Sequence, residues 1–130
     1  CRDERIIDQI IASNLINMLI FVSSNLIKSL KKHVLKMLTT FIHFTKRTEV
    51  LLTIDDFLPM LMHECHEIND SVHIFAIILL EELFQCNYSN HISLPTLSIE
   101  DQQFIQEIID SDKEVTANLA KNIKNIIINN

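Results

Sequence analysis

Apolar residues recur along the chain at the spacing that places them on one face of an α-helix. Segment 4–12 follows an i, i+3, i+4 pattern of isoleucines, and a longer apolar stripe runs from Leu26 to Ile42. Polar residues fill the remaining positions of each segment. The pattern predicts helices over residues 4–12, 14–22, 25–45, 47–53, 56–67, 70–86, 99–110 and 112–128.

Local signals mark where some of these helices start and stop. Residues 98–101 (Ser-Ile-Glu-Asp) and 111–114 (Ser-Asp-Lys-Glu) have the form of capping boxes, which predicts helix starts close to both serines. Pro59 falls in the first turn of a predicted helix, where its missing N–H costs little. Residues 87–97 have no helical periodicity and contain Pro95, so they are predicted to form a loop.

The apolar pattern of the first part of the chain recurs further along it. When residues 15–42 are laid on residues 57–84, thirteen apolar positions coincide without an insertion, and the helix lengths are preserved. We call this alignment, in which position 15 corresponds to position 57, the repeat register. A period of roughly 40 residues, with a short, a medium and a long helix in each unit, is typical of a helical solenoid.

The third helix of each unit resembles that of the armadillo family, whose repeat reads roughly V-x-x-x-A-x-x-x-L-x-x-L at this helix. Four residues of the second unit match as written: Val72, Ala76, Leu80 and Leu83. The first unit matches more loosely, at Leu30, Val34, Leu38 and Phe41. A degenerate third unit is laid on Val115, Leu119, Ile123 and Ile126.

The resemblance implies an all-α protein, a right-handed α-solenoid of armadillo-type three-helix repeats with two full repeats and a degenerate third. The expected units are approximately 4–46, 47–88 and 97–130, in a single domain over 1–130. A HEAT-like array and a compact helical bundle with the same spacing remain alternatives. Because the chain starts with Cys1 and not Met, we expect it to be a piece of a longer protein.

Composition narrows the function. The chain has no glycine, which excludes Gly-rich phosphate loops and the GxSxG elbow and disfavours β-hairpins. Three cysteines form no disulfide pattern, which indicates an intracellular protein of the cytoplasm or nucleus. No apolar run is long enough to span a membrane and no signal peptide is visible. Residues 87–89 (Asn-Tyr-Ser) match a glycosylation sequon, a match that is frequent by chance.

Charge is unevenly distributed although the net charge is only −6. Residues 28–47 carry six cations and no acid, whereas residues 48–112 carry 13 acids and no Lys or Arg. Such polarity suits end-to-end pairing of two copies or attraction of a charged partner, and it also suits a simple solvated surface.

Candidate reactive groups give no convincing constellation. Residues 63–66 (His-Glu-Cys-His) hold metal-binding types, but neighbours on one helix point in different directions and no third or fourth ligand is evident. We therefore expect no metal, no cofactor and no enzymatic activity. Lys28, Lys31, Lys32 and Lys36 form a basic face, but nucleic-acid binding is disfavoured because the chain is acidic and its aromatic residues do not interleave with these lysines.

In the armadillo family the third helices line a groove that holds an extended or helical partner. The family's peptide-binding pattern places Trp and Asn four residues apart on that helix. By alignment these positions are Ile78 and Glu82, Lys36 and Thr40, and Lys121 and Asn125, with Lys32 and Ile74 one turn earlier. The chain has no Trp, so the resemblance does not extend to importin-type binding of nuclear localisation signals.

The sequence thus predicts a protein–protein interaction module that holds a peptide or amphipathic helix of another protein. The alternative is a self-associating, homodimerising module of a larger scaffold. The predicted partner groove consists of Lys32, Lys36, Thr40, Ile74, Ile78, Glu82, Lys121 and Asn125.

Overall fold

A computed structural model describes residues 10, 11, 13, 14, 28–53, 57–66, 71–111 and 113–129. Of these residues 84% are helical and none lies in a strand, which confirms the all-α class. The predicted helices over 4–12 and 14–22 fall almost entirely outside the described residues. The elements are α1 (Lys28–Thr45), α2 (Thr48–Leu52), α3 (Phe57–His66), α4 (Val72–Ser89), α5 (Ile99–Ile109) and α6 (Glu114–Asn129).

The predicted loop over 87–97 is wrong for its first three residues, because α4 continues to Ser89. The sequence pattern around Asn87 does not indicate a helix. In the structure the Asn87 side chain is buried and hydrogen-bonded, which stabilises the last turn of α4. The helix ends at Asn90, whose backbone N–H and side-chain amide both donate to the carbonyl of Cys86, at 3.1 and 2.8 Å. The connection to α5 is therefore residues 90–98.

The two predicted capping boxes have different outcomes. Ser98 caps α5 as expected, since its backbone is extended and its hydroxyl accepts a hydrogen bond from the N–H of Asp101 at 3.1 Å. Ser111 does not cap α6. Its hydroxyl donates to the carbonyl of Ile108 at 2.6 Å and so closes the end of α5. Helix α6 instead begins at Glu114.

The long helices α1 and α4 lie side by side and run in the same direction. In three contacts between the helices or just beyond their ends, the two contacting residues are the same number of positions apart in the sequence. These contacts are the Lys36 ammonium over the Phe75 ring, 5.4 Å from its centroid, the His43–Glu82 pair at 3.2 Å, and the hydrogen bond that Thr48 donates to Asn87. A constant separation means that both helices advance together, whereas an antiparallel pair would give separations that shrink along the chain.

Helix α6 runs parallel to α4 on its other flank. Near the start of both helices, His73 and Thr116 border one small cavity, and near their ends Tyr88 and Ile127 border another. At about 3.6 residues per turn, His73 and Tyr88 lie on nearly the opposite side of α4 from Phe75, which contacts α1. The three long helices therefore form one layer, with α4 in the middle.

Helices α3 and α5 form a second layer behind the long helices, and the core lies between the layers. The buried positions of α1 recur in α4 in the repeat register without exception. They are Lys31, Val34, Leu35, Leu38 and Ile42 in α1 and His73, Ala76, Ile77, Leu80 and Phe84 in α4. The predicted core stripe of α4 is confirmed, because Val72, Ala76, Leu79, Leu80 and Leu83 are all fully buried.

The predicted core stripe of α6 is partly wrong. Val115 is 64% exposed and Leu119 only half-buried, although Ile123 is buried as expected. Ala117 and Ala120 face the core instead. The buried face is rotated towards these alanines because α5 packs along that side of α6.

Candidate functional site

All eight residues of the predicted groove lie on the protein surface. None of them is buried. Five are exposed and three are half-buried. The exposed residues are Lys36, Thr40, Ile74, Lys121 and Asn125, and the half-buried residues are Lys32, Ile78 and Glu82.

The structure brings predicted residues of α1 and α4 together along the seam between the two helices. Lys36 lies over the ring of Phe75, and Glu82 pairs with His43. The partners Phe75 and His43 were not predicted as part of the groove. Helical phase links the two contacts, because His43 follows Lys36 by two turns, as Glu82 follows Phe75. The seam is thus held at two points spaced two turns apart.

The outward face of α4 changes character along its length. Ile74, 38% exposed, and the half-buried Ile78 occupy successive turns of its first half. Glu81 and Glu82 follow on the next turn. Partial burial, and then the negative charge of Glu82, raise the pKa of the Glu81 carboxyl above its usual range. Along α4, the predicted groove is therefore apolar in the first half of the helix and acidic on the turn that follows.

The predicted groove residues of α6 make fewer contacts with the other two helices. Lys121 and Asn125 stand on the exposed side of α6, and within the described part of the chain no hydrogen bond, ion pair or cation–π contact joins them to α1 or α4. On α1, Lys36 and Thr40 also border a cavity of about 370 Å³ together with Ile11. Among the described residues, polar and ring contacts of the predicted groove thus link α1 to α4 and do not involve α6.

One lysine of the basic face predicted on α1 is not at the surface. Lys31 is buried, and its ammonium lies 3.3 Å from a carboxylate oxygen of the equally buried Glu64 on α3. A buried ion pair of this kind is satisfied internally. Lys31 is therefore unable to contact phosphates at the surface. Among the lysine side chains of this face that the structure describes, Lys32 and Lys36 remain accessible.

Residues 63–66 are scattered between different environments. The Cys65 thiol is buried, and burial raises its pKa far above the usual value. The His66 ring instead stacks on Phe104, with centroids 3.8 Å apart, and lies 3.3 Å from Asp101. Among the described residues, no group of three or more His, Cys, Asp or Glu side chains is placed to hold a metal ion.

The second described thiol is also held in its protonated form. Cys86 is 5% exposed, and burial raises the pKa of its thiol despite the nearby positive charge of Lys46. The thiolate is the nucleophilic form of cysteine, so neither Cys65 nor Cys86 is in a setting that activates it.

A buried histidine is the group that sequence reasoning passed over. His73 is 2% exposed, and its Nδ1 donates a hydrogen bond to the carbonyl of Cys65. A carbonyl only accepts, so Nδ1 carries a proton. Burial lowers the pKa of His73, the hydrogen bond to the Cys65 carbonyl opposes this, and the nearby Lys113 lowers the pKa further, so the neutral ring is favoured at pH 7. The equivalent of His73 in the repeat register, Lys31, was itself predicted to lie on a surface face, so the sequence carried no signal that this position is buried.

The asparagine of the glycosylation sequon at residues 87–89 is buried in the folded chain. Asn87 is 1% exposed, accepts a hydrogen bond from the Thr48 hydroxyl and donates one to the carbonyl of Ser93 at 3.0 Å. Its amide nitrogen is therefore inaccessible to modification in the folded chain.

A second surface feature, which the sequence did not predict as a site, lies where α4 and α6 end. A cavity of about 900 Å³ opens between these helix ends and the connecting segment 91–97. Pro95 was the sequence signal for the segment, but not for a cavity beside it.

No protein-family model, curated protein or solved structure matches the chain. Within the described residues, no helix is both long enough and apolar enough to cross a membrane.

Proposed function

We propose that the chain is an armadillo-like protein–protein interaction module that holds a peptide or helix of a partner protein against α1, α4 and α6. One observation carries the proposal. Three parallel helices present a common outward surface on which isoleucines stand between cationic and acidic residues. We propose no catalytic role, because both described thiols are buried and burial raises their pKa, which disfavours the nucleophilic thiolate.

The parallel layer supports a solenoid of stacked repeats. Helices joined by short loops in an up-and-down bundle pack antiparallel to their chain neighbours. Here α1 and α4 are parallel and α2 and α3 form the crossover between them, as expected when a three-helix unit is repeated. The buried positions that recur in the repeat register give the same result from side-chain burial.

The chemistry of the groove supports partner binding. Ile74 and Ile78 lie off the core stripe and remain partly accessible. Apolar side chains in a surface groove bordered by charge commonly mark the site of a partner. Lys32 and Lys36 on one side and Glu82 on the other would orient that partner and speed its association.

A photo-crosslinking residue placed at position 78 tests this function. The matched control is the same residue at position 99, because Ile99 on α5 is 75% exposed but lies away from the groove. We expect irradiation to join a partner protein to position 78 and not to position 99. Equal labelling at both positions, or none at position 78, would contradict the groove assignment.

The effect of the groove on affinity is tested with the crosslinked partner once it is purified. Ile78→Asp places a charge beside Glu82 where an apolar anchor should dock. Losses at such positions commonly exceed about 2 kcal/mol, or more than tenfold in affinity. Ile99→Asp should leave the affinity unchanged, and calorimetric titration measures both. A sharp fall in Tm for Ile78→Asp would show that Ile78 belongs to the core.

Self-association is the second candidate, and one observation favours it. Met37 is 51% exposed and Phe44 is 78% exposed, two turns apart on the same side of α1. Met37 and Phe44 directly follow Lys36 and His43, the residues of α1 that contact α4. A second copy could cover this apolar flank as another repeat would. Sedimentation velocity should then show a dimer that Phe44→Glu dissociates.

A further inference from the structure

A small cavity lies where the start of α4 meets the second half of α5 and the start of α6. Its volume is about 110 Å³. The inner wall is formed by buried side chains, namely His73, Phe104, Ile108 and Thr116, and the mouth by exposed residues, namely Glu107, Ser111 and Lys113. An apolar cavity of about 150 Å³ holds benzene. A molecule of one ring that projects partly through the mouth therefore matches this cavity in size.

Two of the polar side chains around the cavity already use their protons. The Ser111 hydroxyl donates to the carbonyl of Ile108 at 2.6 Å, and the Thr116 hydroxyl donates to the carbonyl of Lys113 at 3.3 Å. Both hydroxyls are thus held by the backbone at the end of α5 and the start of α6. They shape the wall and have no proton left to donate to a ligand.

His73 presents a nitrogen without a partner to the cavity. Its side chain is 2% exposed, and its Nδ1 donates to the carbonyl of Cys65 on α3. Within the described part of the chain, no group is hydrogen-bonded to Nε2. Among the same residues, no fully enclosed side-chain nitrogen or oxygen lacks a partner, so Nε2 is reached from the cavity that His73 borders.

The protonation of His73 decides what Nε2 can bind. Nδ1 carries a proton, and burial lowers the pKa of the ring, which favours the neutral imidazole. In that form Nε2 has a lone pair and accepts a hydrogen bond. A buried acceptor of this kind is stabilised by a ligand that carries a hydroxyl or N–H donor.

The rest of the wall restricts the ligand further. Phe104 and Ile108 are 8% and 5% exposed, so they offer an apolar and partly aromatic surface. A ligand carboxylate would meet the lone pair of Nε2, and a ligand ammonium would lose its hydration in the same cavity as the Lys113 side chain. An uncharged ring with one hydroxyl avoids both costs. A phenol hydroxyl is also a stronger donor than an aliphatic one, and its ring can pack against Phe104.

We propose that this cavity is a binding site for a small uncharged phenol, whose hydroxyl donates to Nε2 of His73 and whose ring packs against Phe104 and Ile108. Such a ligand would contact α4, α5 and α6 together and stabilise the folded chain by mass action. None of the eight predicted groove residues borders the cavity, so the inference does not depend on partner binding.

A pair of ligands of nearly the same shape tests the site on the unaltered protein. The whole chain, labelled with ¹⁵N at its histidines, is titrated with phenol and separately with toluene, which has a methyl group in place of the hydroxyl. We expect phenol to bind saturably and to shift the Nε2 resonance of His73 towards that of a hydrogen-bonded nitrogen. Toluene should bind about tenfold or more weakly, because it leaves the buried acceptor without a donor.

Two histidine variants test the same contact from the protein side. His73→Phe keeps a ring at the wall and removes the acceptor. His66→Phe is the matched control, since His66 also stacks on Phe104, with centroids 3.8 Å apart, but does not border the cavity. We expect His73→Phe to abolish the preference for phenol over toluene and His66→Phe to retain it. Circular dichroism checks the fold of both variants.

The ligand comparison and the nitrogen resonance decide the question alone if His73→Phe does not fold. Four results overturn the inference. They are the absence of saturable phenol binding, which would mean that the cavity holds water only, equal affinities for phenol and toluene, a phenol-induced shift confined to other histidines, and an undiminished preference for phenol in folded His73→Phe.

Discussion

The first turns of α1 and α4 hold buried polar residues at equivalent places but satisfy them differently. Lys31 and His73 correspond in the repeat register, and both are buried against α3. Lys31 meets the carboxylate of Glu64 at 3.3 Å, whereas His73 donates to the backbone carbonyl of the next residue, Cys65. One junction is an ion pair and the other a neutral hydrogen bond.

The repeated apolar pattern therefore constrains how the helices pack in the layer. It does not constrain how the buried polar residues Lys31 and His73 are hydrogen-bonded or paired. A buried charge must find its opposite charge, so Lys31 makes the junction dependent on one partner side chain. A neutral imidazole requires only a backbone carbonyl, which any residue at position 65 supplies. The α1 junction should therefore be the more sensitive to substitution of its partner.

The largest effect is expected when half of the ion pair is removed. Lys31→Met removes the ammonium that lies 3.3 Å from the buried Glu64 carboxylate, and breaking a buried ion pair in this way typically costs about 3–5 kcal/mol. The double variant Lys31→Met with Glu64→Leu should recover most of this loss. Urea unfolding followed by circular dichroism measures both. If Lys31→Met alone costs less than about 1 kcal/mol, the pair is not the anchor of this junction.

The next effect tests whether the two helices are equivalent in packing. Ala76 and Val34 are fully buried and correspond in the repeat register. Ala76→Phe should overpack the core at a cost of about 1–3 kcal/mol. Val34→Ala should leave a void that costs about 1–2 kcal/mol. Unchanged melting temperatures for both variants would show that the repeat register is wrong.

A smaller effect separates the two junctions by pH. Because burial lowers the pKa of His73, the unfolded chain takes up a proton below its ordinary pKa of about 6.5 while the folded chain does not. Stability should therefore fall as the pH drops below about 6.5, by at most about 1.4 kcal/mol per pH unit, until His73 is protonated in the folded state.

The variant His73→Gln isolates this contribution. Its unfolding free energy should decline less between pH 7 and pH 5 than that of the wild type, as urea titrations at the two pH values will show. An identical decline in both proteins would mean that His73 does not contribute to the pH dependence.

The smallest effect is expected for the residue next to Lys31. Lys32 is half-buried on the surface side of the same turn, and truncation at such a position usually changes stability by less than about 0.5 kcal/mol. Lys32→Ala therefore serves as the control for Lys31→Met, and its melting temperature should stay close to that of the wild type. A loss as large as that of Lys31→Met would place both lysines in the core.

Part of the candidate groove could be predicted because helical phase decides which side chains point outwards. Ile74 and Ile78 fall off the stripe that contains Ala76 and Leu80, and the structure leaves them accessible. Their neighbours across the seam could not be predicted in the same way. Lys36 meets Phe75 and not Ile78, its equivalent in the repeat register, because residues that touch across a seam are not the residues at equivalent positions.

Within the described residues, the sequence by itself determined where the helices lie, the approximate position of their ends and the apolar faces of α1 and α4, because these depend on local backbone propensity and on the helical period of about 3.6 residues. The correspondence of Val34 with Ala76 follows from the same local information. The sequence also determined the absence of glycine-dependent loops, and with them of the activities that need such loops.

Only the tertiary structure decided how side chains far apart in the chain meet. It placed Lys31 against Glu64, 33 residues away, and turned Val115 out of the predicted core where α5 covers the opposite side of α6. It also tied segment 93–97 to the side chains of Asn87 and Gln102. Periodicity shows which face of a helix is apolar, but which element covers that face depends on the packing of the whole chain.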